Sequence, residues 1–174
     1  FAYAMAPFIS LRAIEQAKCG PGLMQLPICL MTVGIGLGYA DAGPTHYATE
    51  DFACFRSIVG SSIYTPADSI STKLIAKKLL EKPKFSYIRL DRDVLPKISP
   101  EITNVDLDKG FKVFGNINND KIALISHGRM LHKCLEIYNN NLNKFVCVDI
   151  LRSKPFPKDL PKEISSCKGI VVVD

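Results

Sequence analysis

Short apolar runs alternate with segments of helical spacing, and this alternation limits the possible folds more than any other feature of the sequence. The runs are rich in valine, isoleucine and leucine and lack a polar position at every second residue, which is typical of strands buried on both faces of a parallel sheet. Helical spacing precedes or follows most of them. The sequence therefore predicts an α/β fold. The predicted strands are 26–33, 61–64, 85–90, 121–126, 145–150 and 170–173, and the main predicted helices are 7–18, 49–58, 129–142 and one that begins at residue 65.

The regular pattern disappears between residues 91 and 110, where Pro96 and Pro100 stand among alternating charges. A loss of pattern with prolines is typical of a domain boundary. We therefore expect two consecutive parallel-sheet α/β units, residues 1–104 and residues 105–174. Because the sequence starts and stops in segments that read as fold interior, we expect the first unit to be truncated at its N-terminus and the second at its C-terminus.

Composition excludes several classes of protein. The 174 residues carry a formal net charge of +5, with lysines scattered or in pairs, so a nucleic-acid surface is not expected. The longest apolar run, Leu23 to Val33, is too short for a membrane span and contains Pro27. The six cysteines form no C-x-x-C pair, which favours reduced thiols in the cytoplasm over a zinc site.

The loop after the strand 26–33 concentrates the possible chemistry. It runs from Gly34 to His46 with the glycine spacing G-x-G-x-G, which differs from the dinucleotide fingerprint G-x-G-x-x-G. Ligands of open α/β sheets bind at the carboxyl ends of the strands, where this loop lies. His46 is a candidate general acid or base, or a donor to an oxyanion. The alternative is a loop histidine that is satisfied by its neighbours.

Two further turns follow strands. Arg92 comes just after the strand 85–90, where a guanidinium can bind a phosphate in bidentate fashion, and the alternative for it is a structural ion pair with Asp91 or Asp93. His127 lies in the Ser-His-Gly turn before the helix 129–142. That turn is either an anion site of backbone N–H groups or a plain strand-to-helix turn.

These segments resemble the central domain of transketolase, a layout that deoxyxylulose-phosphate synthase shares. The resemblance covers nearly the whole chain in the correct order, and the stretch from 122 onward is similar to the start of the C-terminal domain. The matching segments are Ala-Pro-Phe-Ile-Ser-Leu-Arg (6–12), Gly-Pro-Thr-His (43–46), Glu-Asp-Phe-Ala (50–53), Tyr-Thr-Pro-Ala-Asp (64–68) and Arg-Asp-Val-Leu-Pro (92–96).

The resemblance implies a thiamine-diphosphate enzyme that transfers a two-carbon ketol unit between sugar phosphates. It assigns Met5 and Phe8 to the apolar surface that holds the aminopyrimidine ring of the cofactor. His46 corresponds to the catalytic histidine that also touches substrate, and Arg92 to the arginine that binds the substrate phosphate. The ligands of Mg²⁺ and the catalytic glutamate are expected outside this sequence, so the chain alone is expected to be inactive and to work in a homodimer or a heterotetramer.

The sequence departs from the family pattern at two places. The family acid stands four residues before the histidine, where this chain has Ala42, and Asp41 is the nearest acid that can serve in substrate binding. A second family histidine is replaced by Val33 or Gly34. Two alternatives therefore remain: an enzyme similar to 1-deoxy-D-xylulose-5-phosphate synthase, and a non-catalytic assembly or regulatory relative.

Overall fold

A computed structural model describes residues 1–98 and 100–174, and within them the chain forms two mainly parallel sheets with helices on their faces. The predicted α/β class with two consecutive units is confirmed. The strands are β1 (Ala2–Met5), β2 (Cys29–Val33), β3 (Ser62–Tyr64), β4 (Ser86–Leu90), β5 (Phe111–Phe114), β6 (Ile122–Ser126), β7 (Phe145–Ile150), β8 (Arg152–Lys154) and β9 (Gly169–Val172). The helices are α1 (Ala6–Ser10), α2 (Ile14–Ala17), α3 (Asp51–Ser57), α4 (Ser69–Glu81), α5 (Asn104–Lys109), α6 (Gly128–Asn140) and α7 (Leu160–Glu163).

The first sheet has the strand order β1-β2-β4-β3-β8. Strands β1 to β4 are parallel, and β8 pairs antiparallel with β3 at the edge. Val33, the last residue of β2, lies opposite Leu90, the last residue of β4. The loops that leave these two strands therefore emerge side by side at one edge of the sheet.

Both faces of the first sheet are covered by apolar side chains. Phe55 of α3 packs on one face against Ile63 and Tyr87, and the Phe55 and Tyr87 rings stack at 3.8 Å. The next residue of each strand points to the opposite face, as the pleat requires. There Tyr64 and Ile88 pack against α4.

The second sheet has the order β5-β7-β6-β9, with β5 antiparallel to the rest. Leu124 and Cys147 face α6, whereas their strand neighbours face the α7 side. Ala67 of the first unit packs into the α6 cluster, and its carbonyl oxygen lies 2.7 Å from Nε2 of His132. The two units thus share part of one core.

The division into 1–104 and 105–174 stays a prediction. The two sheets are separate, but β8 lies on the first sheet and Leu107 of α5 packs with α4. The stretch 91–110, predicted as irregular, contains α5, and residue 99 within it lies outside the described residues. A capping box between Thr103 and Asp106 starts α5, and Gly110 ends it with φ of 91°. That signal was present in the sequence.

The predicted extent of one helix and the predicted start of another were wrong. The helix predicted for 7–18 is interrupted between α1 and α2, at Leu11, one of the periodic residues, which is 39% exposed. The helix predicted to be capped by Thr65 begins instead after Asp68. The Asp68 carboxylate accepts from the Ser71 N–H at 2.8 Å and its second oxygen accepts from the Ile98 N–H at 3.0 Å. Asp68 both caps the helix and binds the distant segment at Ile98, so the helix begins there and not at the Thr-Pro pair.

Asp149 in β7 is buried, and neither of its carboxylate oxygens has a hydrogen-bond partner among the described residues. Burial raises the pKa of Asp149 well above its usual range, and the Asp68 carboxylate raises it further. Lys112 lies directly opposite on β5, but its Nζ binds Asp106 at 3.2 Å. The fold thus favours the protonated form of the Asp149 carboxyl group.

Among the described residues, the helices are all too short or too polar to cross a lipid bilayer.

The variant Leu131→Ala should lower the free energy of unfolding by about 2–5 kcal/mol, because Leu131 lies on α6 and its side chain is fully buried in the core. Ile137→Ala on the same helix is the matched control, since 46% of Ile137 is exposed, and it should cost less than about 1 kcal/mol. Urea unfolding of both variants measures this difference. Equal losses would contradict the packing described for α6.

The variant Asp149→Asn should become progressively more stable than the unmodified chain as pH rises. A carboxyl group whose folded-state pKa is raised stabilises the fold below its unfolded pKa and loses that contribution with increasing pH. The gap should be near zero at about pH 3.5, then open by up to about 1.4 kcal/mol for each pH unit, and level off once the pH exceeds the folded-state pKa of Asp149. Urea unfolding across the pH range measures it. Asp120→Asn, at an exposed position, is the control, and a gap for Asp149→Asn that does not change with pH would contradict the assignment.

Candidate functional site

The loop after β2 is folded back on itself and held at both ends. Its start is closed by a reciprocal backbone pair between Gly36 and Ala48, with N···O distances of 3.1 and 2.9 Å. Gly43 adopts φ of +83°, which favours glycine, and this turn sends the chain into the short helical turn Pro44–His46. The local fold therefore brings His46 back to the edge of the sheet.

His46 lies against two aromatic rings. Its ring centroid is 5.4 Å from that of Phe8 in an edge-on arrangement and 6.2 Å from that of Tyr39. The hydroxyl of Thr45 lies 3.0 Å from Nδ1 of His46, so Nε2 is the nitrogen left for a ligand. The structure thus brings together Phe8 and His46, two of the predicted site residues.

Met5 lies at the end of β1, directly before the helix that carries Phe8. It is paired in register with Val33, the residue from which the loop departs. Both Met5 and Phe8 are half-buried. The guanidinium of Arg12 stands over the Phe8 ring, with Cζ 4.3 Å from its centroid. An apolar edge of the sheet therefore lies beside His46.

Arg92 leaves the end of β4 and joins the same loop. Its Nη2 donates to Oδ2 of Asp41 at 3.2 Å, its Nη1 contacts the other Asp41 oxygen, and Nη1 also donates to the Gly38 carbonyl at 3.3 Å. The guanidinium lies over the Tyr39 ring, with Cζ 4.6 Å from its centroid. A hydrogen bond from Arg92 holds the pKa of the Asp41 carboxyl below its usual range.

The alternative of an ion pair between Arg92 and Asp91 or Asp93 was wrong. Both of those carboxylates bind Arg129 of α6, with Nε to Asp91 at 2.7 Å and Nη2 to Asp93 at 2.5 Å. The sequence neighbours of Arg92 therefore connect the two units, while Arg92 itself turns toward the loop after β2.

Tyr39 connects the predicted residues, and the sequence pattern did not point to it. Its ring lies between His46 and Arg92. It also fills the space next to Gly34, because a Cβ built at Gly34 would lie 2.1 Å from the Tyr39 ring, and Gly34 adopts φ of +78°. A side chain at position 34 and the present position of Tyr39 are mutually exclusive.

A buried ion pair lies beneath the site. The Asp51 carboxylate accepts from Arg89 at 2.8 and 3.0 Å, from the Tyr87 hydroxyl at 2.9 Å and from the Phe52 N–H at 2.7 Å. Burial, and next the Asp51 charge, raise the pKa of Tyr87, so its hydroxyl stays a donor. The sequence marked Glu50 and Asp51 only as part of a motif, because burial of a carboxylate is not visible in a local pattern.

The turn at His127 faces this loop across a cleft of about 560 Å³. Burial lowers the pKa of His127, and its Nε2 lies 3.3 Å from Oδ1 of Asp174. Charged side chains of both signs line the cleft: Asp91, Asp93, Asp174, Arg89 and Arg129. The two interpretations of the turn at His127, an anion site and a plain strand-to-helix turn, both stay predictions.

No cluster of three or more histidine, cysteine, aspartate or glutamate side chains that could hold a metal ion occurs within residues 1–98 and 100–174.

Residues 1–97 match the family described as the pyrimidine-binding domain of transketolase. Similar proteins include transketolase-like protein 1 of Bos taurus, which is 32% identical over 97% of this chain and 28% of its own length. One of the subunits of the apulose-4-phosphate transketolase of Phocaeicola vulgatus is 30% identical over 56% of this chain and 31% of its own length. A solved structure described as a split-gene transketolase, an inactive beta4 tetramer, superposes with a TM-score of 0.81 at 25% identity and covers 99% of this chain and 56% of that one.

The chain spans less than a third of the length of the curated relatives it matches. The family match takes in 97 of the 174 residues, which is more than half of the chain. It also takes in the loop after β2, β4 and the turn that carries Arg92. The chain therefore belongs to the transketolase family and contains its pyrimidine-binding domain.

Proposed function

We propose that this chain is part of a transketolase-type enzyme that moves a two-carbon ketol unit between sugar phosphates with the help of thiamine diphosphate. The family implies the cofactor. The observation that carries the proposal is the continuous row of Phe8, His46, Tyr39 and Arg92 along the carboxyl ends of β2 and β4. Neighbouring members of the row lie 4.6 to 6.2 Å apart, which supports their proposed roles as cofactor surface, proton-transfer group and anion-binding group.

The residues at the start of the row fit the aminopyrimidine part of the cofactor. Met5 and Phe8 are half-buried and apolar, so an aromatic ring placed on them would leave water. Arg12, which covers Phe8, is exposed and can move aside without breaking a buried contact. When bound, thiamine diphosphate would supply a carbanion-stabilising centre. The diphosphate and Mg²⁺ are proposed to be held by polypeptide other than this chain.

His46 is proposed to act at the substrate. Its Nδ1 is oriented by Thr45, so Nε2 can donate to or accept from a substrate hydroxyl. The packing of Phe8 and Tyr39 around the ring limits its rotation and keeps Nε2 in one direction. Arg92, at the far end of the row, is proposed to bind the substrate phosphate, and Asp41 lies at that same end.

The proposed assembly contains at least one further chain or a second copy. The names of two similar proteins, a transketolase made of separate subunits and a split-gene transketolase tetramer, support a split enzyme. The proposed assembly is either a homodimer or a heterotetramer. Its proposed location is the cytoplasm.

A non-catalytic relative is the second candidate. One observation favours it: Tyr39 occupies the space beside Gly34, which is one of the two positions, Val33 or Gly34, that the resemblance gives for a family histidine. Asp41 also pairs with Arg92 and neutralises its charge. Turnover by an assembled protein separates the two candidates, and a donor assay with pyruvate separates either from a deoxyxylulose-phosphate synthase.

Ketol transfer should require a second chain. We expect no turnover of xylulose 5-phosphate by the 174-residue chain with thiamine diphosphate and Mg²⁺, and turnover after addition of a chain from the same genome that carries the diphosphate-binding domain. Within that assembly, His46→Ala should lower kcat by about 100-fold or more while cofactor binding is kept. His132→Gln, which retains the polar contact to Ala67, is the control and should keep kcat. Turnover by the isolated chain would refute the requirement, and an unchanged kcat for His46→Ala would refute the role of His46.

Phe8→Ala should weaken the binding of thiamine diphosphate to the assembled protein by about 10-fold or more, because the ring supplies apolar area that the cofactor covers. Phe156→Ala is the matched control, since Phe156 is exposed and lies away from the row. Calorimetric titration with thiamine diphosphate measures both. Equal affinities for the two variants would remove Phe8 from the proposed cofactor surface.

A further inference from the structure

The turn that carries Arg92 is bound from the second unit by the side chain of Arg129. Arg129 is the second residue of α6, and it donates from Nε to Oδ2 of Asp91 at 2.7 Å and from Nη2 to Oδ1 of the same carboxylate at 2.5 Å. Its Nη2 also donates to Oδ2 of Asp93 at 2.5 Å. One guanidinium therefore binds both the residue before Arg92 and the residue after it.

Asp91 shapes this turn. Its Oδ1 accepts from the backbone N–H of Asp93 at 2.9 Å, which is the side-chain-to-backbone bond of an Asx turn. The Asp91 side chain is 10% exposed, and both of its oxygens accept from Arg129, so the contact is bidentate. Because Asp91 fixes the backbone around Arg92, the direction in which Arg92 leaves β4 depends on where Arg129 holds the Asp91 carboxylate.

Arg129 also compensates two negative charges that flank Arg92. The charge of Asp93 reaches Arg92, since it is one of the smaller causes that raise the pKa of the Arg92 guanidinium, after the hydrogen bond to Asp41. Without Arg129, both Asp91 and Asp93 would lose an ion-pair partner, and the Asp93 side chain, which is 65% exposed, would be free to turn. An anion that approaches Arg92 would then meet uncompensated carboxylates on both sides.

A positive charge elsewhere on α6 does not replace this contact. Lys133 follows Arg129 by one helical turn and is 71% exposed, and its Nζ lies 3.6 Å from Glu136 of the same helix. Arg129 is at the start of α6, where the chain comes from β6 through the turn at Gly128. Its position at the helix start brings Arg129 to the end of β4.

We propose that Arg129 is a positioning residue for substrate binding, which holds Arg92 toward the loop after β2 through Asp91 and Asp93. This inference rests on the proposed function of Arg92 as the phosphate-binding residue. The direction itself is seen in the contact between Nη2 of Arg92 and Oδ2 of Asp41 at 3.2 Å. The second unit thus takes part in substrate binding without touching the substrate, and loss of Arg129 weakens the binding of the phosphate end alone.

The test compares two donors that differ only in the phosphate, xylulose 5-phosphate and xylulose, in the assembled protein. The ratio of their kcat/KM values measures what the phosphate contributes to the reaction. Arg129→Gln should lower this ratio by about 10-fold, through a higher KM for xylulose 5-phosphate, and should leave kcat for both donors and kcat/KM for xylulose unchanged. Xylulose turnover also reports that the variant has folded and assembled.

Lys133→Gln is the matched control, because it removes an equal charge from an exposed position of the same helix, and it should leave the ratio unchanged. Arg129→Lys is the second variant if Arg129→Gln disturbs the fold. It keeps the charge but lacks the fork that binds Asp91 through two nitrogens, so it should still lower the ratio by about threefold. An unchanged ratio in either folded Arg129 variant overturns the inference.

A double variant separates positioning from direct contact with the phosphate. Arg92→Gln alone should lower the ratio by about 100-fold, because it removes the proposed hydrogen bonds to a charged group. Arg129→Gln in the Arg92→Gln background should lower it no further, since Arg129 acts through Arg92. A further loss of about 10-fold in that background would mean that Arg129 acts on the phosphate itself, and positioning is then excluded.

Failure of the inference and failure of the proposed function give different results. If Arg92→Gln lowers the ratio and the Arg129 variants do not, the role of Arg92 stands and only the inference about Arg129 is lost. If Arg92→Gln leaves the ratio unchanged, Arg92 is not the phosphate-binding residue, and both proposals for this turn fall. If the assembled protein turns over neither donor, the proposed function fails as a whole and the inference fails with it.

Discussion

β2 and β4 run side by side and parallel, and the position of the whole candidate site follows from that pairing. The in-register contact of Val33 with Leu90 brings the loop that carries His46 and the turn that carries Arg92 to the same edge of the sheet. His46 and Arg92 are 46 residues apart in the sequence. A connection of that length has no preferred local geometry, so the hydrogen bonds between the strands bring the two loops together.

The buried ion pair of Asp51 and Arg89 fixes the other end of the loop. Asp51 begins α3, which follows the loop, and Arg89 lies in β4, three residues before Arg92. The loop is therefore anchored to β2 at its start and to β4 at its end. Four hydrogen bonds to Asp51 compensate for its removal from water, and removing either partner would leave an uncompensated buried charge. The segment that carries His46 is thus fixed on both sides.

The elements that the sequence predicted well are those with strong local signals. β6, β7 and α6 appear close to their predicted bounds because each pairs an uninterrupted apolar pattern with a clear start and stop. The strands β1, β5 and β8 were not predicted, although β3 and β9, which are equally short, were. β5 and β8 pair antiparallel with strands that are distant in the sequence, and a local pattern does not show such pairing. The start of α4 was misplaced for the same reason: the bond from Ile98 to Asp68 joins residues that no local pattern connects.

Local patterns in the sequence were enough to predict the α/β class, the approximate positions of most strands and helices, and the residues proposed for cofactor, proton-transfer and anion chemistry. Periodicity and turn residues are local properties, so they can be read along the chain. The tertiary structure, in contrast, sets which charged side chains pair with each other. It assigned Arg92 to Asp41 instead of to its neighbours, placed the Tyr39 ring between Arg92 and His46, and buried Asp51 with Arg89. Those contacts depend on distances of a few ångströms between segments that are far apart in sequence, and strand pairing and burial set such distances.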